Sequence, residues 1–142
     1  MSSDVDTIRE AYAAFGRGDV PAVLAVLDPL IEWVEPEGYP YGDVYRGHDE
    51  VIGLFQRAAE VLGPEWRVVP DRFVATEDGV LVMGRHTGVR PDGISWEVPF
   101  AMVWTMTEGR ATHFRQYGDS ALMREAVGPS APAPSSELQE GA

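Results

Sequence analysis

The sequence predicts an α+β domain in which helices pack against one curved antiparallel β-sheet. Two observations support this class. Through residue 62, most apolar side chains recur with the 3.6-residue spacing of helices. From Trp66 onward, strand-like runs are joined by short turns that contain glycine, which favours hairpins between neighbouring strands. The order of helices first and meandering strands afterwards is typical of a helical layer on a bent sheet.

Three helices are predicted in the first half of the chain. Residues 4–17 carry apolar side chains at helical spacing, and Ser3 stands where an N-cap is expected. Asp19 is a candidate N-cap for a second helix that ends near Pro29. A third helix with a wide apolar stripe is predicted over 48–62.

A short strand is predicted at 31–36, with Trp33 and Glu35 on one face. Because Pro36 cannot donate to a ladder, the strand ends there or lies at a sheet edge. Residues 37–46 are rich in Gly, Pro and Tyr and have no period, so they are predicted to form a loop able to close over a site.

Longer strands are predicted at 66–76, 80–90, 94–107 and 110–118. Asp119 is a candidate cap for a short helix over about 120–127. These elements predict one domain over residues 1–127. The remaining residues, 128–142, are mostly Pro, Ser, Ala, Gly and Glu and are predicted to form a disordered tail.

Composition excludes several functions. The net charge of −12 and the absence of any Lys/Arg run argue against nucleic-acid binding through a basic patch. No signal peptide is recognisable, and no apolar run approaches the roughly 20 residues that span a bilayer, so a cytoplasmic protein with no membrane contact is expected. There is no cysteine, and the three histidines lack metal-ligand spacing. No metal and no cofactor are therefore expected.

Four segments carry a resemblance to a known superfamily. They are AYAAFGRGDVPAVLAVL at 11–27, IEWVEP at 31–36, YRGHDEV at 45–51 and MTEGRATHFRQYGD at 106–119. In this order they resemble the nuclear-transport-factor-2-like superfamily, and within it the ketosteroid-isomerase-like and SnoaL-like polyketide-cyclase branch. The resemblance covers about residues 5–127. It implies a cone-shaped sheet, cystatin-like in fold and packed with three helices, around a cavity for a small ligand.

The resemblance implies site residues by position. The carboxylate base of ketosteroid isomerases matches Glu35, whereas their oxyanion acid falls on Ala101, which cannot donate a hydrogen bond. Their helix-1 tyrosine lies near Tyr12. In limonene-epoxide-hydrolase-like members, the two catalytic aspartates fall on Gln116 and Arg85. Neither catalytic set is intact in this chain.

The hairpin over residues 96–119 has one face of large apolar side chains and one of smaller side chains. The resemblance implies that the smaller face lines the cavity, with Ala101, Val103, Phe114 and Gln116. The outward face is then expected to carry Phe100, Met102, Trp104, His113, Arg115 and Tyr117. Because so large an apolar patch is rarely bare on a monomer, a homodimer through this outer face is expected.

Glu35 is the leading candidate for a general base. A carboxylate beside Trp33 in a partly dry cavity has its charged form disfavoured, which raises its pKa. The alternatives are a rim carboxylate or an ion pair with Arg85. Arg85 either holds developing negative charge on a substrate or pairs structurally with Glu35 or Asp71. Gln116 either orients a substrate carbonyl or water, or is an ordinary strand residue.

Other polar and aromatic residues have plainer interpretations. By parity, His86 and His113 are expected to face outward, and His48 is expected to cap the third helix. The aromatic residues Trp33, Tyr39, Tyr41 and Tyr45 form either a ligand wall or ordinary packing. The expected substrate-binding residues are Tyr12, Trp33, Ala101, Val103 and Phe114.

The sequence therefore predicts a cavity protein for a small, apolar, oxygenated ligand. Its chemistry would be metal-free acid–base catalysis, meaning isomerisation, cyclisation, or hydration by a hydrolase or dehydratase-like lyase. Glu35 would be the base, and Arg85 and Gln116 would stabilise negative charge. The alternative is a non-catalytic ligand-binding or dimerisation module of the same fold.

Overall fold

The structure is a computed structural model that describes residues 3–128. Four helices and six strands follow one another as α1 (Asp4–Gly16), α2 (Val20–Val26), β1 (Leu27–Val34), β2 (Val44–Arg46), α3 (Gly47–Leu62), β3 (Arg67–Ala75), β4 (Gly79–Val89), β5 (Ser95–Thr107), β6 (Arg110–Gly118) and α4 (Ser120–Val127). The α+β class is confirmed. Apart from Gly128, the tail lies outside the described residues, so its disorder and the domain boundary at 127 stay predictions.

The six strands form one sheet in the order β2-β1-β6-β5-β4-β3. The predicted antiparallel meander of β3 to β6 is confirmed. The sheet as a whole is mixed, because β1 runs parallel to β6. Register irregularities in three of the strand pairs accompany the bend of the sheet. The sheet does not close, since β2 and β3 remain its edges.

The helices begin where the sequence places their caps. Ser3 Oγ accepts from the Asp6 amide at 3.0 Å, and Asp19 and Asp119 cap α2 and α4 in the same way. The predicted cap role of His48 is wrong. Its Nε2 lies 3.0 Å from the carbonyl oxygen of Leu27, so it links α3 to the start of β1.

Two boundaries differ from the prediction. The helix α2 ends at Val26 and β1 begins at Leu27, so Pro29 lies inside the strand. It is tolerated because the pairing of β1 with β6 is irregular between Leu27 and Glu32. The predicted loop 37–46 is also shorter, since its last three residues form β2 against β1.

The two helices α1 and α3 pack on the concave face of the sheet, where α1 contacts β3 and β4 and α3 contacts β1 and β2. The core fills the space between these layers and includes the fully buried residues Ile8, Leu27, Ile31, Leu54, Val80, Val82 and Phe114. None of the described helices has the length and apolarity that a bilayer-spanning helix requires.

The structure reverses the predicted faces of β5. Met102 stands opposite Gln116 and Trp104 opposite Phe114, and residues opposite each other across a strand pair share a face. Phe100, Met102 and Trp104 are buried on the concave side, so they are not on the outer face. A shift of one residue moves every side chain of a strand to the other face.

Candidate functional site

A cavity lies between the helices and the concave face of the sheet. Its empty space, including the open mouth, is about 560 Å³. The lining is almost entirely apolar and aromatic. Apart from tyrosine, the buried polar side chains among the described lining residues are Glu35, His86 and Gln116. Such an apolar cleft with a few convergent polar groups is the usual form of a small-molecule site.

Glu35 follows β1 and is held between two donors. Its side chain is only 6% exposed. Trp33 Nε1 donates to Oε2 at 2.7 Å, and Gln116 Nε2 donates to Oε1 at 2.6 Å. Trp33 reaches Glu35 because residues two apart on a strand share a face, and its ring stacks on Phe114 with centroids 3.9 Å apart.

Burial decides the ionisation of Glu35. Desolvation raises its pKa from 4.5 to about 8, against the smaller lowering effect of the hydrogen bonds from Trp33 and Gln116. At pH 7 the carboxyl group is therefore largely protonated, yet it ionises within reach of physiological pH. That is the range in which one group can both take and return a proton.

A chain of hydrogen bonds continues behind Gln116. His86 Nε2 lies 2.7 Å from Gln116 Oε1, and Trp66 Nε1 donates to His86 Nδ1 at 3.1 Å. Desolvation lowers the pKa of His86 to about 4, so its imidazole is neutral at pH 7. Trp66, His86, Gln116 and Glu35 thus form one polar row that begins at the half-buried indole of Trp66 and ends at the buried carboxyl group of Glu35.

Tyrosine hydroxyls supply further donors. The hydroxyl groups of Tyr39 and Tyr41 are buried and have no hydrogen-bond partner among the described residues, and Tyr41 lines the cavity. Tyr12 accepts from Trp104 Nε1 at 3.0 Å and donates to the sulfur of Met102, which is a weak acceptor. Buried donors without a good acceptor cost free energy unless a ligand or water satisfies them.

The structure places five of the eight predicted site residues at the cavity, namely Tyr12, Trp33, Glu35, Phe114 and Gln116. Their roles in binding or catalysis stay predictions. The cavity position expected for Ala101 and Val103 is wrong, because they stand opposite Tyr117 and Arg115 on the outer face.

Arg85 also lies away from the cavity. It donates to both carboxylate oxygens of Asp71, at 2.7 and 2.8 Å, and its Nε lies 3.3 Å from Glu97. It therefore forms the structural pair with Asp71 that the sequence left open, and it does not pair with Glu35. The substrate-facing position expected for Arg85 is wrong, because alternation along β4 places it on the outer side with Met83.

His86 was expected to face outward, and this is wrong. The alternation of β4 contains a signal for its true position, because His86 shares parity with Val80 and Val82, which are both fully buried. His113 is exposed on the outer face, as expected. Trp66 was not identified as a neighbour of the site, because its contact with His86 joins segments 20 residues apart in sequence. Tyr41 was one of the aromatic residues expected to form either a ligand wall or ordinary packing, and it lines the cavity.

Comparison with known proteins agrees with this geometry. A nuclear-transport-factor-2-like protein of unknown function from Burkholderia pseudomallei K96243 is 36% identical, with a TM-score of 0.81 over 89% of this chain and 98% of that one. TerC, crystallised with polyporic acid, is 29% identical, with a TM-score of 0.81 over 89% and 98%. An uncharacterized protein of Mycobacterium tuberculosis is 25% identical over 84% of this chain and 92% of its own length.

The family model for the SnoaL-like domain matches residues 8–114, which include the helices α2 and α3 and all of the strands β1 to β5. Together with the cone-shaped sheet and its apolar cavity, this match identifies the chain: it belongs to the SnoaL-like family of the nuclear-transport-factor-2-like superfamily.

Proposed function

We propose that the protein binds a small, apolar, oxygenated molecule in this cavity and moves a proton at a carbon next to its carbonyl group, with Glu35 as the base. The observation that carries the proposal is a buried carboxyl group on the wall of an apolar cavity, with a pKa near 8. A base with this pKa is matched to proton transfer near neutral pH.

The proposed step is an enolisation. Ionised Glu35 takes a proton from the carbon next to the carbonyl, the C–H electron pair becomes the new C=C bond, and the C=O π pair moves onto the carbonyl oxygen. Where a second C=C bond is conjugated with this enolate, protonated Glu35 returns its proton at the far carbon of the dienolate, the C=O bond forms again, and the C=C bond has shifted by one position. If the enolate carbon instead attacks a second carbonyl group of the same molecule, a C–C bond closes the ring, and the π pair of that carbonyl moves onto its oxygen, which takes the proton from Glu35.

The developing oxyanion needs donors that are not already engaged. One N–H of the Gln116 amide donates to Glu35, so that donor is committed to the base. The Tyr41 hydroxyl has no partner among the described residues, and the Tyr12 hydroxyl donates only to the sulfur of Met102 while it accepts from Trp104. Burial raises the pKa of both tyrosines, so both remain neutral donors throughout the physiological range.

The relative TerC suggests a first ligand for the binding step. That protein was crystallised with polyporic acid, an aryl-substituted hydroxyquinone that combines flat apolar rings with carbonyl and hydroxyl oxygens. These are the features that an aromatic cavity with the phenol donors of Tyr41 and Tyr12 recognises. We propose ligands of this aromatic hydroxycarbonyl class.

Replacing Tyr41 by Phe is expected to weaken binding of polyporic acid roughly 3- to 10-fold, because one hydrogen bond to the ligand is lost while the ring stays. Isothermal titration measures the affinity. Tyr117→Phe is the matched control, since Tyr117 is 55% exposed on the outer face and its loss should leave the affinity unchanged. Equal affinities for wild type and both variants would remove Tyr41 from the site.

A specific observation also favours the non-catalytic alternative. Both oxygens of Glu35 already accept hydrogen bonds within the protein, as in a carboxyl group that shapes a binding pocket. A simple ketone, 2-tetralone, distinguishes the catalytic function from the binding function, because its C1 hydrogens are acidic. If polyporic acid binds but the protein does not accelerate deuterium exchange of 2-tetralone, the binding function replaces the catalytic one.

We also propose a homodimer through the outer sheet face. Arg115 and Tyr117 stay in the interface that the sequence suggested, whereas Phe100, Met102 and Trp104 are buried on the other side of the sheet and are replaced by outward residues of β4 and β5. Met83, Ala101 and Tyr117 stand in one row across β4, β5 and β6, and Leu81, Val103 and Arg115 form the next row. Met83 is 41% exposed. Mostly apolar rows on a sheet face that no described helix covers are typical of interfaces.

Sedimentation at micromolar concentration is expected to give twice the chain mass of 15.6 kDa. Met83→Glu should convert this species to a monomer, because it places a charge in the proposed interface. Leu30→Glu is the matched control, as Leu30 is 86% exposed in β1, outside the two rows. A monomeric wild type would contradict the proposed interface.

A further inference from the structure

We infer that Trp66 is a positioning residue for Glu35. It fixes the direction of the hydrogen-bond row, so that Gln116 turns the N–H group of its amide towards Glu35 and the C=O group away from it. The proton of Glu35 is then left for the ligand. Trp66 has no hydrogen bond to Glu35 and acts through His86 and Gln116. The indole N–H groups at the two ends of the row, those of Trp66 and Trp33, are able only to donate.

The first step fixes the tautomer of His86. An indole N–H donates and cannot accept, so His86 Nδ1, at 3.1 Å from Trp66 Nε1, must accept. A neutral imidazole carries one proton, which therefore resides on Nε2. Burial of His86 keeps the ring neutral, because it lowers the pKa.

The second step fixes the amide of Gln116. The Nε2 proton of His86 points at the side-chain atom of Gln116 that lies 2.7 Å away, so this atom is the acceptor Oε1. The amide nitrogen then faces Glu35 Oε1, at 2.6 Å. The orientation of an amide is set by such a network, and here the network begins at Trp66.

The third step concerns the proton of Glu35. Trp33, on the other carboxyl oxygen, is also a pure donor. Neither neighbour accepts a proton from the neutral acid. The titratable groups on which the charge of Glu35 acts are phenols: Tyr12 of α1, Tyr39 and Tyr41 of the segment after β1, and Tyr45 of β2.

These phenols place no charge beside Glu35 in the pH range in which it titrates. Burial raises the pKa of each of them, so they stay neutral while Glu35 titrates. The guanidinium of Arg57 lies behind Tyr45, to whose hydroxyl it donates at 3.3 Å. Two locked donors therefore stabilise the carboxylate, and the neutral acid keeps an uncommitted O–H.

Without the Trp66 donor, a competing arrangement opens. His86 can then carry its proton on Nδ1 and accept at Nε2 from a flipped Gln116 amide. Gln116 Oε1 would face Glu35 and accept its proton, which stabilises the neutral acid and raises its pKa. The difference between the two arrangements is the replacement of one donor by one acceptor at the same carboxyl oxygen.

The test is the titration of Glu35 in Trp66→Phe. The carboxyl ¹³C signal, assigned by its loss in Glu35→Gln, reports the pKa without any ligand. Trp66→Phe is expected to raise this pKa by about one unit. The matched control is Trp96→Phe, which removes a half-buried indole outside the cavity and should leave the pKa unchanged.

A second variant guards against an unrelated packing change. His86→Phe keeps an aromatic ring beside Phe100, whose centroid lies 5.0 Å from that of His86, but leaves Gln116 Oε1 without its donor. It should raise the pKa of Glu35 at least as much. In the wild type, ¹⁵N signals of His86 should identify the Nε2–H tautomer, and Trp66→Phe should shift them towards Nδ1–H.

An unchanged or lowered pKa of Glu35 in both variants would overturn the inference, as would an Nδ1–H tautomer in the wild type. Because none of these measurements needs a substrate, the result is independent of turnover. Glu35 can be positioned by Trp66 even if it proves not to catalyse a reaction, and the two proposals can therefore fail separately.

Discussion

Replacing Glu35 by Gln is expected to lower the protein-catalysed exchange of the C1 hydrogens of 2-tetralone by roughly 10²- to 10⁴-fold, the usual contribution of a positioned base. The amide has nearly the same shape as the carboxyl group but does not accept a proton from carbon. Binding of polyporic acid should stay within about threefold, because its oxygens are proposed to contact Tyr41 and Tyr12. Proton NMR in D₂O follows the exchange directly.

The pH dependence of this exchange supplies a second signature. After subtraction of the rate with Glu35→Gln, the wild-type rate should rise about tenfold per pH unit and level off near pH 8, as the carboxyl group ionises. The control is Glu97→Gln, which removes an exposed carboxylate on the outer face. If Glu35→Gln exchanges 2-tetralone as fast as the wild type, Glu35 is not the base.

The second large effect is on the pH dependence of stability. The pKa of Glu35 is 4.5 in the unfolded chain and about 8 in the folded one. Between these values the folded state binds more protons, so the free energy of unfolding falls as pH rises. Stability from this group is complete below pH 4.5 and lost as pH passes through about 8.

His86 has the opposite dependence. Its pKa falls from 6.5 in the unfolded chain to about 4 in the folded one, so its contribution is complete above pH 6.5 and lost as pH falls towards 4. The two slopes oppose each other between pH 4.5 and 6.5, where stability should be nearly flat. From pH 6.5 to 8, Glu35 acts alone, and the free energy of unfolding should fall by about 2 kcal/mol.

Urea unfolding across pH 4.5 to 9 measures these slopes. Glu35→Gln should remove the fall above pH 6.5, and His86→Phe should extend the fall down to pH 4.5. Glu97→Gln, an exposed control, should retain the wild-type shape. The comparison uses the shape of each curve, because Glu35→Gln also places an amide N–H against a donor of Trp33 or Gln116. A wild-type curve that rises between pH 6.5 and 8 would contradict a buried, protonated Glu35.

Much of the fold follows from local sequence signals. The caps Ser3, Asp19 and Asp119 and the glycine-containing turns set most element boundaries to within a few residues. Glu35 and Trp33 are predicted to share a face by alternation alone, and the structure joins them by a hydrogen bond. These features depend only on residues close together in the chain.

Which face of each strand lines the cavity could not be predicted from such local signals. The cavity side of β5 depends on its register with β6, where Met102 meets Gln116. The positions were assigned by resemblance to a known family. An assignment that is wrong by one residue moves every side chain of the strand to the opposite face of the sheet. The buried position of His86 was missed for a similar reason, because its partners Trp66 and Gln116 lie 20 and 30 residues away in the chain. The position of Arg85 within an apolar run suggested a functional site, but its guanidinium group donates to Asp71 on the outer face of the sheet.

The most direct test of the account is the titration of the Glu35 carboxyl group in the ligand-free wild-type protein. The assigned ¹³C signal should move with a midpoint near pH 8, because desolvation in the apolar cavity outweighs the two donated hydrogen bonds. A midpoint below about pH 5, close to the ordinary value for glutamate, would mean that water reaches Glu35 freely. It would contradict the dry, proton-holding site proposed for this cavity.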